Sequence, residues 1–164
     1  MKQLYLVRHA KSSWDEDWLD DFERPLNRRG KRDAPKMGGV LKEKGIAPDL
    51  IVTSPAARAS ATARILAREL GYVLERICYR EQLYEAATRD FVATIATLDD
   101  KHDSAMMFGH NPTLTMVANM FGGTTIVNIP TTGIVGIEFD YDSWIQVSEN
   151  RGRFLFFEYP KKHV

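Results

Sequence analysis

Short apolar runs alternate along the chain with stretches whose apolar residues recur at helical spacing. Leu4-Tyr5-Leu6-Val7 opens the series without a polar break, the mark of a strand covered on both faces. Asp49 to Ser54 (DLIVTS), Tyr72 to Tyr79, Ser104 to His110 (SAMMFGH), Ile134 to Phe139 (IVGIEF) and Arg153 to Tyr159 (RFLFFEY) read as further strands. A helix is predicted from Asn27 to Lys44, with Val40 and Leu41 facing the core and Gly45 placed to stop it, although Pro35 and Gly38-Gly39 interrupt its pattern. SPAARASATARILARELG predicts the next one. Ser54 is read as its N-cap and Pro55 as its first helical residue; Ala59, Ala63, Leu66 and Leu70 form the apolar stripe, and Gly71 ends it. Asp90 to Leu98 is a third helix, and Leu114, Val117, Ala118 and Phe121 mark a fourth, broken by Gly122-Gly123. A turn near Tyr141-Asp142-Ser143 or Asn150-Arg151-Gly152 is expected between the last two strands. Strands alternating with helices predict an α/β fold of parallel strands joined by helical crossovers.

One segment breaks the rhythm. WDEDWLDDFERPL carries six carboxylates in the nine residues from Asp15 to Glu23 and no apolar period, so it reads as a solvated loop anchored by Trp14 and Trp18. The whole chain is 164 residues, 44% apolar and 27% charged, which suits a single domain over 1–164. Lys plus Arg and Asp plus Glu are equal at 22 each, so no global field favours nucleic acid or a membrane surface, and any anion site must be local. There is no leader-like pattern and no apolar run long enough to span a bilayer, so a cytoplasmic protein is expected. Cys78 is the only cysteine, which excludes an internal disulfide or a thiolate metal cluster, and it reads as a small core residue. With no HxH or HExxH, neither a metal nor another cofactor is expected.

Three strand-to-helix junctions carry polar residues of one chemical kind: VRHAKS, TSPAARAS and FGHNPT. In an open parallel sheet the strand C-terminal ends share one edge, where ligands bind, so Arg8, His9, Arg58 and His110 should converge there. Arg58 falls in the first turn of its helix, where side chains tilt back towards the N-terminus and the helix end adds positive potential. The result is a small cationic pocket in a neutral protein. Two guanidiniums grip phosphoryl oxygens through paired, charge-assisted hydrogen bonds. A neutral imidazole beside them is a competent nucleophile towards phosphorus, and the arginines would stabilise charge on the equatorial oxygens.

LYLVRHA, SPAARASATA and GHNP, in this order, resemble the histidine phosphatase (phosphoglycerate mutase-like) superfamily, and RHAKSSW with RPLNRRG resembles its SixA-type phosphohistidine phosphatase branch. The resemblance implies a three-layer α/β/α sandwich around a mostly parallel sheet. It assigns His9 as the phosphorylated nucleophile and Arg8, Arg58 and His110 as the phosphate-binding shell, with Arg24 of ERPL touching the phosphate or bracing the loop. Ala10 departs from the glycine that much of the superfamily carries there. Glu85, in LYEA, falls where relatives acting on phosphoesters place an acid that protonates the departing alcohol. A phosphoramidate needs such an acid less, because its nitrogen takes a proton from solvent. The implied activity is metal-independent removal of phosphate from phosphohistidine on a protein, such as a phosphorelay domain, through an open pocket. A small phosphate monoester is the alternative substrate, and a module that holds a phosphorylated partner without turnover is the alternative of another class. Lys11, Arg28, Arg29, Lys31 and Arg32 are read as a solvated face, and His102 and His163 as outside the site.

Overall fold

A computed structural model describes residues 1–164. Its centre is a six-stranded sheet built from β1 (Lys2–Arg8), β2 (Leu50–Thr53), β3 (Cys78–Tyr79), β4 (Ser104–Gly109), β5 (Ile134–Phe139) and β6 (Arg153–Glu158), in the order β3-β2-β4-β1-β5-β6. β1, β2, β3 and β4 pair in parallel, whereas β5 runs antiparallel to both β1 and β6. The sheet is therefore mixed: five strands point one way and β5 alone points back.

The period of two along each strand sorts its side chains onto two faces. Leu4, Leu6, Leu50, Val52, Ala105 and Met107 point to one, where α3 (Thr88–Ala96), α4 (Thr113–Gly122) and α5 (Trp144–Glu149) supply Phe91, Val117, Phe121 and Trp144. Tyr5, Val7, Ile51, Met106 and Phe108 point to the other, against α1 (Arg28–Glu43) and α2 (Ala57–Leu70), which contribute Met37, Leu41, Ala63 and Leu66. These are the three layers the resemblance implied. Each large side chain so buried contributes roughly 1.5–3 kcal/mol, enough in sum to make the sheet the rigid part of the molecule. No helix is long and apolar enough to cross a membrane.

Several boundaries differ from the sequence reading, each for a local reason. α1 runs through Pro35 and Gly38-Gly39 without a break, capped by the Asn27 side chain on the Gly30 N–H at 2.9 Å. Gly38 sits against Glu69 of α2, so the missing side chain is what lets the two helices approach. α2 starts at Ala57 rather than at Pro55, with Ala56 as an N-cap that offers no side-chain bond; the Ser54 hydroxyl accepts the Ala56 N–H at 3.3 Å, outside the helix. Between Tyr72 and Tyr79 only Cys78-Tyr79 pairs as strand, because the preceding Leu74–Arg76 winds into a 3₁₀ turn. Cys78 is half-buried at that sheet edge instead of deep in the core. The link between β5 and β6 holds α5, a short helix rather than a turn: Ser143 caps it, and Trp144 sinks fully into the core.

Candidate active site

The site forms along the sheet edge where β1, β2 and β4 end and β5 begins. Strand register puts Arg8 beside Gly109 and Val7 beside Ile134, so Arg8-His9, Ser54, His110 and the Thr131-Thr132-Gly133 turn share one rim. Backbone bonds pin these ends together. The His9 N–H donates to the Gly109 carbonyl at 3.2 Å and the Arg8 N–H to Gly133 at 3.0 Å, while the Thr132 N–H is shared between the Arg8 and His9 carbonyls, both at 3.1 Å. Thr132 holds φ +61°, a left-handed conformation that a β-branched residue adopts only under constraint, and its buried hydroxyl has no partner. Ala10 is fully buried behind His9; its N–H donates to Thr62 Oγ1 at 2.9 Å, which fastens the strand end to α2.

His9 is 7% exposed, and its Nδ1 lies 2.7 Å from the Ala10 carbonyl. A carbonyl only accepts, so Nδ1 carries the proton and Nε2 keeps its lone pair. Burial drives the His9 pKa from 6.5 down to about 3; the Ala10 bond opposes this, and His110, Arg58 and Arg8 add to it. His110, whose ring centre is 5.1 Å away, is likewise lowered to about 4, by burial first and by Arg58 next. Both rings are neutral near pH 7. His110 Nε2 lies 2.8 Å from Ser54 Oγ, and with the serine hydroxyl donating there Nδ1 holds the remaining ring proton; that buried Nδ1 has no partner in the protein. Ser54, read from the sequence as the helix N-cap, accepts the Ala56 N–H at 3.3 Å just ahead of the helix and also orients this histidine.

Around His9 opens a cavity of about 250 Å³ lined by Arg8, Lys11, Ser12, Trp14, Arg24, Arg58 and Thr131. Lys11 is thus half-buried at the pocket and not part of the solvated face with Arg28, Arg29, Lys31 and Arg32. A larger hollow of about 680 Å³ lies at the other end of β5, around Met1, Glu138 and Arg153, and holds no histidine. Arg8 donates to the Ile129 carbonyl at 3.0 Å and keeps a buried, unpartnered Nε. Arg24 lines the cavity and braces the loop through Ser13 O at 3.1 Å, Asp21 Oδ1 at 2.8 Å and the Ser12 hydroxyl.

Asp21, on a single 3₁₀ turn (Asp21–Glu23) of the acidic segment, was invisible as a site residue in the sequence. Its backbone carbonyl accepts from Arg58 Nη1 at 2.7 Å and its Oδ2 from Arg58 Nη2 at 3.0 Å and from the Tyr84 hydroxyl at 2.7 Å. Partial burial raises the pKa of this carboxyl, but the Tyr84, Arg58 and Arg24 contacts outweigh it and hold the group ionised below the usual range. Burial and the Asp21 bond push the Tyr84 phenol up to about 12, so it remains a donor. Its ring meets His110 edge-on, and Phe22 meets it the same way.

Glu85 stands apart. It is exposed, follows Tyr84 at φ +52°, and is not among the residues lining the cavity. Trp14 and Trp18 are 72% and 76% exposed, so neither anchors the loop in the core; Trp14 lies over the Arg24 guanidinium, 3.3 Å from its ring centre. His163 pairs with Glu158 at 3.0 Å, remote from the cavity.

Residues 4–103 match the model of the histidine phosphatase superfamily, branch 1. The chain belongs to the histidine phosphatase superfamily. An uncharacterised protein of Mycobacterium tuberculosis is 31% identical over 165 residues, covering 94% of this chain and all of that protein. A chloroplastic protein of Arabidopsis thaliana is 30% identical over 135 residues, and there the chain spans only 61% of the relative's length. Among solved structures, a provisionally assigned phosphohistidine phosphatase SixA from Agrobacterium tumefaciens superposes with a TM-score of 0.82 at 28% identity, over 97% of this chain and 98% of that one. Membership in this superfamily and the likeness to the SixA structure support a phosphatase.

Proposed function

We propose that the protein hydrolyses phosphohistidine on a partner protein through a phosphorylated His9, without a metal. The observation that carries the reading is the proton assignment of His9: Nδ1–H is held by the Ala10 carbonyl, which leaves a neutral Nε2 lone pair beside the arginines. Nε2 attacks phosphorus in line, the bond from phosphorus to the substrate nitrogen breaks, and that nitrogen leaves with a proton from solvent. Arg8, Arg58 and Arg24 neutralise the equatorial oxygens, and His110 Nδ1–H donates to one of them. Water then attacks phosphorus, its proton passes to solvent, and inorganic phosphate departs while Nε2 regains its lone pair.

The substrate choice rests on three supports. The cavity is bordered on one side by Trp14, which is 72% exposed, so it lies within reach of a protein surface. Glu85, the one residue matched to an ester-cleaving acid, is exposed and makes no hydrogen bond to a site residue, so nothing holds it in place as an acid for an alcohol leaving group. The structural likeness to the SixA protein points the same way.

Phosphate release from a phosphohistidine-bearing protein domain and from an alkyl phosphate, by wild type, His9→Ala and Glu85→Gln, tests this without added metal. His9→Ala should lose at least about a thousandfold on both substrates, as removal of a nucleophile does. Wild type should favour the phosphohistidine domain, with Glu85→Gln unchanged on it. Turnover surviving in His9→Ala would overturn the nucleophile, and a wild-type preference for the ester that Glu85→Gln abolishes would shift the substrate to small monoesters. Tight binding without release from either substrate would leave a phospho-ligand binding module.

A further inference from the structure

The donors around the cavity fall into two sets. Arg8 Nε and His110 Nδ1 are buried with no partner, as groups waiting for an acceptor are. Arg58 is different: its side chain is 9% exposed, and one N–H on each of its Nη atoms is already bonded to one residue, Asp21, through its carbonyl and its carboxylate. Arg24 Nη1 and the Tyr84 hydroxyl complete the grip on the same carboxylate. Four bonds from three side chains thus converge on a residue of the acidic segment, not on a ligand.

That segment is the cheapest part of the site to move. From Trp14 to Asp20 it has no helix or strand, its only regular piece is the Asp21–Glu23 turn, and Asp21's side chain is 49% exposed. A phosphoryl dianion offers more charge and more lone pairs to the same guanidinium than a carboxylate does. We propose that the Asp21 carboxylate is a built-in occupant of the phosphate clamp, which the phosphoryl group displaces from Arg58 on binding and which returns to help expel product phosphate. Asp21 is thereby a specificity-determining residue: a monoanionic ligand gains nothing by replacing a carboxylate, whereas a phosphoryl dianion does. The inference rests on the clamp proposed above but not on the identity of the leaving group.

The chain carries its own reporter. Trp14 and Trp18 ride on the segment, whereas Trp144 is fully buried in the core and supplies a constant background. Inorganic phosphate and, separately, acetate are titrated into wild type, Asp21→Asn and Tyr84→Phe, with binding heat and tryptophan emission followed together. Phosphate should shift wild-type emission saturably and acetate should not. Asp21→Asn should bind phosphate about tenfold more tightly, the weight of one charged hydrogen bond no longer competed for. Tyr84→Phe, which removes one tie from Asp21, should tighten binding by a smaller factor, and it decides the matter if Asp21→Asn does not fold. Equal or weaker phosphate binding in Asp21→Asn or in Tyr84→Phe would overturn the exchange, since Asp21 would then be positioning Arg58. So would heat without an emission change, or an equal response to acetate. Absence of phosphate binding by wild type would instead bring down the clamp itself.

Discussion

The cavity has a half held by the sheet and a half held by charge. Arg8 and His9 end a strand that is hydrogen-bonded on both sides, with β4 and β5 fixing their backbones and Ala10 locked to α2 through Thr62. Arg24 and Arg58 share the Asp21 carboxylate, on a segment that is mostly solvent-exposed, and their other bonds go to the Ser12 hydroxyl and to the Ser13 and Asp21 carbonyls. The chemistry that demands sub-ångström placement, the nucleophile, is assigned to the rigid half. The electrostatics that must let phosphate in and out falls to the half that yields. A phosphatase that turns over needs both, and here they come from different structural sources.

The sharpest way to break the comparison is Arg58→Lys. A lysine keeps the charge but cannot make two bonds to Asp21 or two to a phosphoryl group, so kcat/KM for phosphate release should fall roughly a hundredfold, with the fold intact by circular dichroism. A loss of only a fewfold would mean that charge alone matters on that side. Acid probes the rigid half. His9 is surrounded by His110, Arg58 and Arg8, and His110 by Arg58, Arg8 and Asp21, and both histidines stay neutral to about 3 and 4 against an ordinary value of 6.5. The unfolded chain takes up those protons as pH drops below about 6.5 and the folded chain does not, so stability should fall between pH 6.5 and 3, by up to roughly 3 kcal/mol for each histidine at pH 4. Urea midpoints at pH 7 and pH 4 should therefore move less for His9→Ala than for wild type; an equal movement would exclude His9 as a source. The smallest effect is expected in the yielding half: Trp18→Ala, at a residue 76% exposed, should change unfolding free energy by less than about 0.5 kcal/mol. A larger loss in the same urea titration would show the segment to be structural.

What the sequence revealed follows the same division. Strands buried on both faces announce themselves as unbroken apolar runs, and polar residues at their ends stand out, so Arg8, His9, Arg58 and His110 were legible together with the layers that place them. Ser54 was seen but given a nearer job, because a serine before proline is the usual sign of a helix start; only the fold brings His110 within 2.8 Å of it. Asp21 was hidden among six carboxylates, and nothing local separates it from Asp20, since its partners lie 3, 37 and 63 residues away. The direction of β5 was illegible for a related reason: strand sense is set by the connection and not by the strand's own residues. The α5 helix escaped because six residues give barely more than one helical turn of periodicity.

The mixed sheet has a consequence for the order in which the molecule becomes competent. Because β5 runs backwards, its beginning lies at the same rim as the ends of β1, β2 and β4, and the Thr132 N–H that straps Arg8 and His9 comes from a position more than a hundred residues further along the chain. Contacts of such sequence separation are the slow ones in folding, since a long loop must close before they give any return. A nascent or refolding chain can have α1, α2 and much of its helix content in place while His9 still lacks its strap. Catalytic competence is in this sense a report that the longest loop has closed, and it arrives with the last strands and not with the first.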